Sequence, residues 1–353
     1  VKTLTALKTI GRILSPDPAA LPALDLEWEV IVAVSSRHLV TPALYPALDR
    51  KRAFEALDGE IKQYLAYIHE LNTDRNTALL HQATDLARAL NGIGIVPVML
   101  KGMAYLFEAL HGDLGGRVVG DIDLFVPGDR RDEAVACLEG EGYTFLWEVD
   151  HGPEGHHHLP PMSREDATAV VELHTEPIKR DFSALLPADD FLGETRTISY
   201  GGARVGVPSL THQVVICIEH EGLANRDDDF LRVSLRGLHD LACLVTCPGI
   251  DWAQVFQRFR KAGLGGTLRH YLSLTLGFFH VSPEGVAVRK RLPLFTWAAL
   301  KAPRWRKIFV VIYLGSRVVT DRRIRRAAVT YGRRLLHDRE SLGPLKRQMA
   351  DRE

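Results

Sequence analysis

Asp121-Ile122-Asp123 carries two carboxylates one residue apart inside a run of β-formers, Ile122-Asp123-Leu124-Phe125-Val126. Side chains alternate across a strand, so both carboxylates fall on one face and can hold a divalent cation together. That is the chemistry of phosphoryl groups, where negative charge builds on oxygens around phosphorus and metal ions, fixed cations and backbone donors stabilise it. The neighbours suit the task. Lys101-Gly102 closes the apolar run Val98-Met99-Leu100 nineteen residues before Asp121, and Gly116-Arg117 and Gly120 lie just upstream of the pair. Lys101 and Gly102 are expected to cradle a triphosphate, the lysine as a point charge and the glycine by letting backbone approach. Arg117 offers a bidentate phosphate contact, and Gly120 keeps the approach to the pair open. Further on, Glu172 sits in the alternating Ala169-Val170-Val171-Glu172-Leu173-His174. It is the expected third carboxylate, a further metal ligand or the base for an acceptor proton.

These residues need a sheet to hold them. Apolar spacing predicts helices over 26–34, 40–48 and 52–90, the last stopped by Asn91-Gly92. Strands follow over 93–100 and 121–126, with a short helix from Gly102 to Leu110 between them and a glycine-rich loop over 112–120. A helix over 129–141 ends at Gly142, a strand is expected over 143–149, and 168–174 returns as a strand. From Ser209, a plausible N-cap, the pattern is helical: 210–221, 229–245, 252–262, 268–279 and beyond. The expected class is α+β, a mixed-sheet core over 93–207 between a helical region 1–92 and a helical region 208–353 with a basic tail.

Hydrophobic content of 46% and charge of 25% are ordinary for a globular protein and exclude global disorder. The net charge is zero, yet residues 301–353 hold 15 Lys and Arg against 5 Asp and Glu, which points to an anionic partner for that region. Phe and Tyr are not interleaved with these basic residues as a base-stacking platform requires, so nucleic acid is not the expected partner. Cys137, Cys217, Cys243 and Cys247 show neither zinc-type nor disulfide-framework spacing. No stretch reaches the length of a transmembrane segment and no signal peptide is evident, so the expected location is cytoplasmic. The histidines of 151–158 suggest metal, but His156-His157-His158 would alternate faces along a strand and cannot converge on one ion. His158 is instead expected to line the cleft near Glu172 and touch substrate, and His174, two residues after Glu172, to share its face and be the second histidine that contacts substrate. His220 and Asp240 read as helix packing and capping residues.

The order Leu100-Lys101-Gly102, Arg117, Gly120-Asp121-Ile122-Asp123-Leu124, Gly142-Tyr143 and Val171-Glu172-Leu173-His174 resembles the uncharacterised nucleotidyltransferase family of the DNA polymerase beta-like superfamily. The resemblance extends through Trp28 and 39–48 before the core and His220 and Leu238-His239-Asp240-Leu241 after it. It implies an acidic triad of Asp121, Asp123 and Glu172, Mg²⁺, and a nucleoside triphosphate as donor. The expected reaction moves AMP from ATP to a hydroxyl or phosphate of a small molecule, peptide or protein, releasing pyrophosphate. Lys101-Gly102 stands where most of the superfamily carries Gly-Ser. The competing reading is therefore a catalytically weak nucleotide-sensing or partner-binding protein on the same scaffold.

Overall fold

Asp58 accepts a hydrogen bond from Glu60 N at 2.9 Å and caps a helix that runs unbroken from Gly59 to Gly92. The expected start at Arg52 gives way to a separate single turn, Phe54–Ala56. The computed structural model describes residues 2–147, 159–225, 227, 231–289 and 292–317. Before the long helix come α1 (Lys2–Leu14), α2 (Trp28–Arg37) and α3 (Thr41–Arg50); the long helix is α4. The middle of the chain alternates β1 (Val98–Met99), α5 (Lys101–Phe107), β2 (Ile122–Phe125), α6 (Arg131–Gly140), β3 (Thr144–Phe145), β4 (Met162–Ser163), β5 (Val171–His174), α7 (Ala188–Gly193), β6 (Arg196–Tyr200) and β7 (Ala203–Val207). Then follow α8 (Leu210–Ile218), a π-helical turn (Glu219–Ala224), α9 (Leu235–Val245), α10 (Trp252–Lys261), α11 (Gly265–Phe279), α12 (Leu294–Lys301) and α13 (Arg306–Arg317).

The strands form one mixed sheet in the order β3-β4-β5-β2-β1-β7-β6, so the architecture is α+β. β2 and β5 are parallel neighbours near its centre, whereas β1 runs antiparallel to β2 and parallel to β7. Two strands are shorter than the apolar runs suggest. Residues 93–100 contribute only Val98–Met99, because Ile95 N still donates to Leu90 O and Gly94 takes φ +79° to turn the chain out of α4. Of the strand expected over 143–149, Thr144–Phe145 pair with β4, and the rest from residue 148 lies outside the described residues. The helix expected from Asp229 begins instead at Leu235, where the Ser234 side chain caps Gly237 N at 3.2 Å.

Two apolar clusters organise the interior. Leu79, Ala83, Leu86 and Leu90 of α4 pack with Met99, Ile122, Leu124 and Leu173 beneath the sheet. The second cluster joins helices from both ends of the chain, with Leu7 and Ile10 of α1 beside Leu238, Leu241, Leu272 and Phe279. Among the described residues no helix is long and apolar enough to cross a membrane.

The loop that leads to Asp121 is fixed by α4. Asn72 Nδ2 donates to Gly115 O at 2.7 Å and Arg117 O at 2.9 Å, and Asn76 Nδ2 donates to Arg117 O at 2.8 Å. Gly115 is required for this approach, since a Cβ there would lie 2.3 Å from both His69 Cε1 and Thr73 Oγ1. Replacing Asn76, which is fully buried, removes the side-chain donor to Leu114 O and one of the two to Arg117 O. Asn76→Leu is expected to cost about 1–3 kcal/mol in urea unfolding.

Candidate active site

Parallel pairing in register sets Asp123 opposite Glu172 and Phe125 opposite His174. Asp123, Glu172 and His174 therefore project from one face of two adjacent strands, as alternation within each strand requires, and Asp121 stands one residue before β2, where its charge acts together with those of Asp123 and Lys101. Asp123, Glu172 and His174 offer ligand atoms that all lie within 4.8 Å of one another.

Asp123 is 3% exposed, and a carboxylate so desolvated needs compensation. Burial alone would raise its pKa, but the Lys101 ammonium at 2.6 Å and His174 Nε2 at 2.8 Å outweigh that and hold it well below the usual carboxylate range. Both donors use Oδ1. Among the described residues no hydrogen bond reaches Oδ2. Lys101 shows the reciprocal effect: desolvation would lower its pKa, yet Asp123, Glu172 and Asp121 raise it. Its backbone sits at φ +48°, in the left-handed region between β1 and α5. Asp121 is shifted upward, first by burial and then by the like charge of Asp123. An acidic pair of which one member has an oxygen without a hydrogen bond, and the other is held above its ordinary pKa by burial and like charge, is chemically suited to a hard divalent cation.

The other expected residues are placed differently. Arg117 is buried and bound in bidentate fashion to Asp240 on α9, Nε to Oδ1 at 2.8 Å and Nη2 to Oδ2 at 2.7 Å, so its fork is spent on a protein carboxylate rather than on phosphate. Desolvation is outweighed by Asp240, and the Arg117 pKa rises. Gly102 makes room for that guanidinium, since a Cβ there would lie 2.5 Å from Nη1. Of the first backbone donors of α5, Met103 N and Ala104 N both donate to Leu100 O. At Gly120 a Cβ would meet nothing within 4 Å; its carbonyl accepts from Arg75 Nη2 at 3.3 Å. His158, with the rest of 148–158, lies outside the described residues.

His220, expected only to pack or cap a helix, and Arg236 and Glu219, which the sequence did not single out, lie near the acidic edge on the helical side. The charges of His220 and Arg236 act on Asp121, and Lys101 acts on Glu219. Arg236 also lines a cavity of about 470 Å³ with Arg37, His38, Glu221, Asn225 and Asp227. Glu219 is buried in the π-helical turn and its Oε1 has no hydrogen-bond partner among the described residues. Burial pushes its pKa up to about 7, against smaller opposing effects of His220 and Lys101. The π turn was not legible as such, because Ser209 caps a helix whose apolar spacing simply continues into it.

A family model described as uncharacterised nucleotidyltransferase matches residues 25–280. Among curated proteins no sequence match is found. One solved structure, titled "Solution Structure of Antibiotic-Resistance Factor ANT(2'')-Ia Reveals Substrate-Regulated Conformation Dynamics", is 16% identical and superposes with a TM-score of 0.38 over 58% of this chain and 100% of that one.

Glu219 makes stability depend on pH. Its pKa is raised on folding, so between about 4.5 and about 7 the native state keeps a proton that the unfolded chain has released, and stability falls as pH rises through that window. Glu219→Gln is expected to match wild type near pH 4.5 and to exceed it at pH 8 by at most about 3 kcal/mol, read from urea unfolding across pH.

Proposed function

Because this chain belongs to the uncharacterised nucleotidyltransferase family, matched over residues 25–280, we propose that its acidic edge transfers a nucleoside monophosphate, AMP from ATP, to an acceptor oxygen. The observation that carries the reading is the juxtaposition of Asp123 and Glu172 on one face of parallel strands β2 and β5, with Asp121 immediately before β2. Asp121, Asp123 and Glu172 would hold Mg²⁺, which supplies neutralisation of charge on the triphosphate oxygens.

The chain's own residues do the remainder. Lys101 adds a fixed ammonium at the same edge, and His174 fixes the orientation of Asp123 through Oδ1. Glu172, less buried than Asp123, accepts the proton of the acceptor hydroxyl as the new O–P bond forms. The bond from the α-phosphorus to the bridging oxygen breaks and its electron pair leaves with pyrophosphate. His220 and Arg236 stand on the helical side as donors for anionic groups of donor or acceptor. The acceptor is a small molecule, peptide or protein, and the reaction is placed in the cytoplasm.

One observation favours the competing reading of a nucleotide sensor or partner-binding protein: the Lys101 ammonium already sits on Asp123 at 2.6 Å, where it competes with a metal ion. Calorimetry with ATP, GTP, CTP and UTP, each with and without Mg²⁺, separates the two when followed by an assay for pyrophosphate release. Magnesium-dependent ATP binding lost in Asp121→Asn/Asp123→Asn, with pyrophosphate release lowered at least 10²-fold in Asp123→Asn, is expected for the enzyme. Undiminished turnover in Asp123→Asn sinks the transferase reading, and tight binding with no pyrophosphate release against any acceptor favours the sensor.

A further inference from the structure

A second group of ligands converges away from the acidic edge. His239 and Cys243 are four residues apart on α9 and so share one of its faces, and His111 meets them from the turn after α5. Ligand atoms of the three all lie within 4.8 Å of one another. The sequence suggests no such site, because it joins residues more than 120 positions apart and lacks a paired-cysteine spacing.

Three observations point to a metal ion. His111 Nδ1 is 3.6 Å from Cys243 Sγ. A tetrahedral zinc with Zn–N of about 2.05 Å and Zn–S of about 2.3 Å sets its nitrogen and sulfur ligands roughly 3.6 Å apart, so this edge of the tetrahedron is already at its metal-bound length. Next, His239 is 5% exposed, its ring centroid is 4.8 Å from that of His111, and its buried Nε2 has no hydrogen-bond partner among the described residues. A buried imidazole nitrogen without a partner is costly, so the described protein atoms leave the hydrogen bonding of this ring incomplete beside Cys243. Finally, His111 Nε2 lies 2.9 Å from Asp240 Oδ1, and Arg117 fixes that carboxylate from its other side. A histidine that donates one ring N–H to a carboxylate turns its other nitrogen toward the metal in a fixed orientation.

We propose that His111, His239 and Cys243 bind one zinc ion that clamps the turn after α5 to α9, with the fourth position left to water. Two imidazoles and a thiolate select a borderline-soft cation, whereas the oxygen-rich edge at Asp121 and Asp123 selects a hard one, so the chain would carry two metal sites of different chemistry. This inference is independent of nucleotidyl transfer.

Cobalt reports it directly, because Co²⁺ takes zinc's geometry and a thiolate ligand gives it an intense near-ultraviolet charge-transfer band that oxygen ligands do not. The full chain, freed of metal with a chelator, is titrated with Co²⁺ alone and then with Zn²⁺. Expected are saturation of the band at one equivalent, its displacement by Zn²⁺, its persistence in Asp121→Asn/Asp123→Asn and in Cys247→Ser, and its loss in Cys243→Ser. Zn²⁺ should also raise the unfolding temperature of wild type and not of Cys243→Ser. Absence of the band in wild type overturns the proposal whether or not Cys243→Ser folds, and so does a band that survives Cys243→Ser.

Discussion

The bidentate ion pair between Arg117 and Asp240 joins the two halves of the molecule that must face each other. Both groups are buried, so each is tolerable only because the other is present. Arg117 belongs to the loop that delivers Asp121 to the sheet, and Asp240 belongs to the helix that begins beside Arg236. Desolvating both ions offsets most of the attraction, which makes the pair a poor source of net stability. Its effect is on position, since a fork of two parallel hydrogen bonds admits one relative orientation of loop and helix.

From that junction the surroundings of the acidic edge follow. Asn72 and Asn76 hold the carbonyl of Arg117 while Asp240 holds its side chain, so the residue is fixed at both ends. Gly102 must lack a side chain for the guanidinium to pass beneath α5, and Lys101 immediately before it adopts a left-handed backbone. Such a conformation costs a non-glycine residue of order 1 kcal/mol, and the ion pair with Asp123 is what holds it. The lysine and glycine expected to serve phosphate thus serve first the carboxylate of β2 and the packing of Arg117.

What the sequence made legible depended on whether a signal was local. Strand alternation alone put His174 on the face of Glu172, and the apolar run on either side of Glu172 marked its strand; the strand that carries Asp123 starts one residue later than the acidic pair suggests, at Ile122. The caps at Ser209 and the stop at Asn91-Gly92 were equally local. Arg117 was misjudged because an arginine in a glycine-rich loop looks the same whether its partner is a phosphate or a buried aspartate 123 residues away. Strand lengths were overestimated where apolar residues were needed for a core rather than for a ladder, as at 93–97. Glu219 and His111 gave no signal at all, since their significance lies in burial and in neighbours contributed by distant parts of the fold.

Asp240 links the loop before the acidic edge to the cluster of His111, His239 and Cys243. Its Oδ1 takes hydrogen bonds from both Arg117 and His111, and its Oδ2 takes a second from Arg117. Desolvation would raise its pKa, but the Arg117 guanidinium and the hydrogen bonds from Arg117 and His111 keep it well below the ordinary carboxylate range, so it remains ionised wherever the protein is folded near neutrality. A permanently charged, fully desolvated acceptor fixes the tautomer and ring plane of His111 as firmly as it fixes Arg117. The same carboxylate therefore orders the approach to the acidic edge on one side and the cluster of His111, His239 and Cys243 on the other. Any change at that cluster that moves α9 must move Asp240, and with it the loop that carries Asp121.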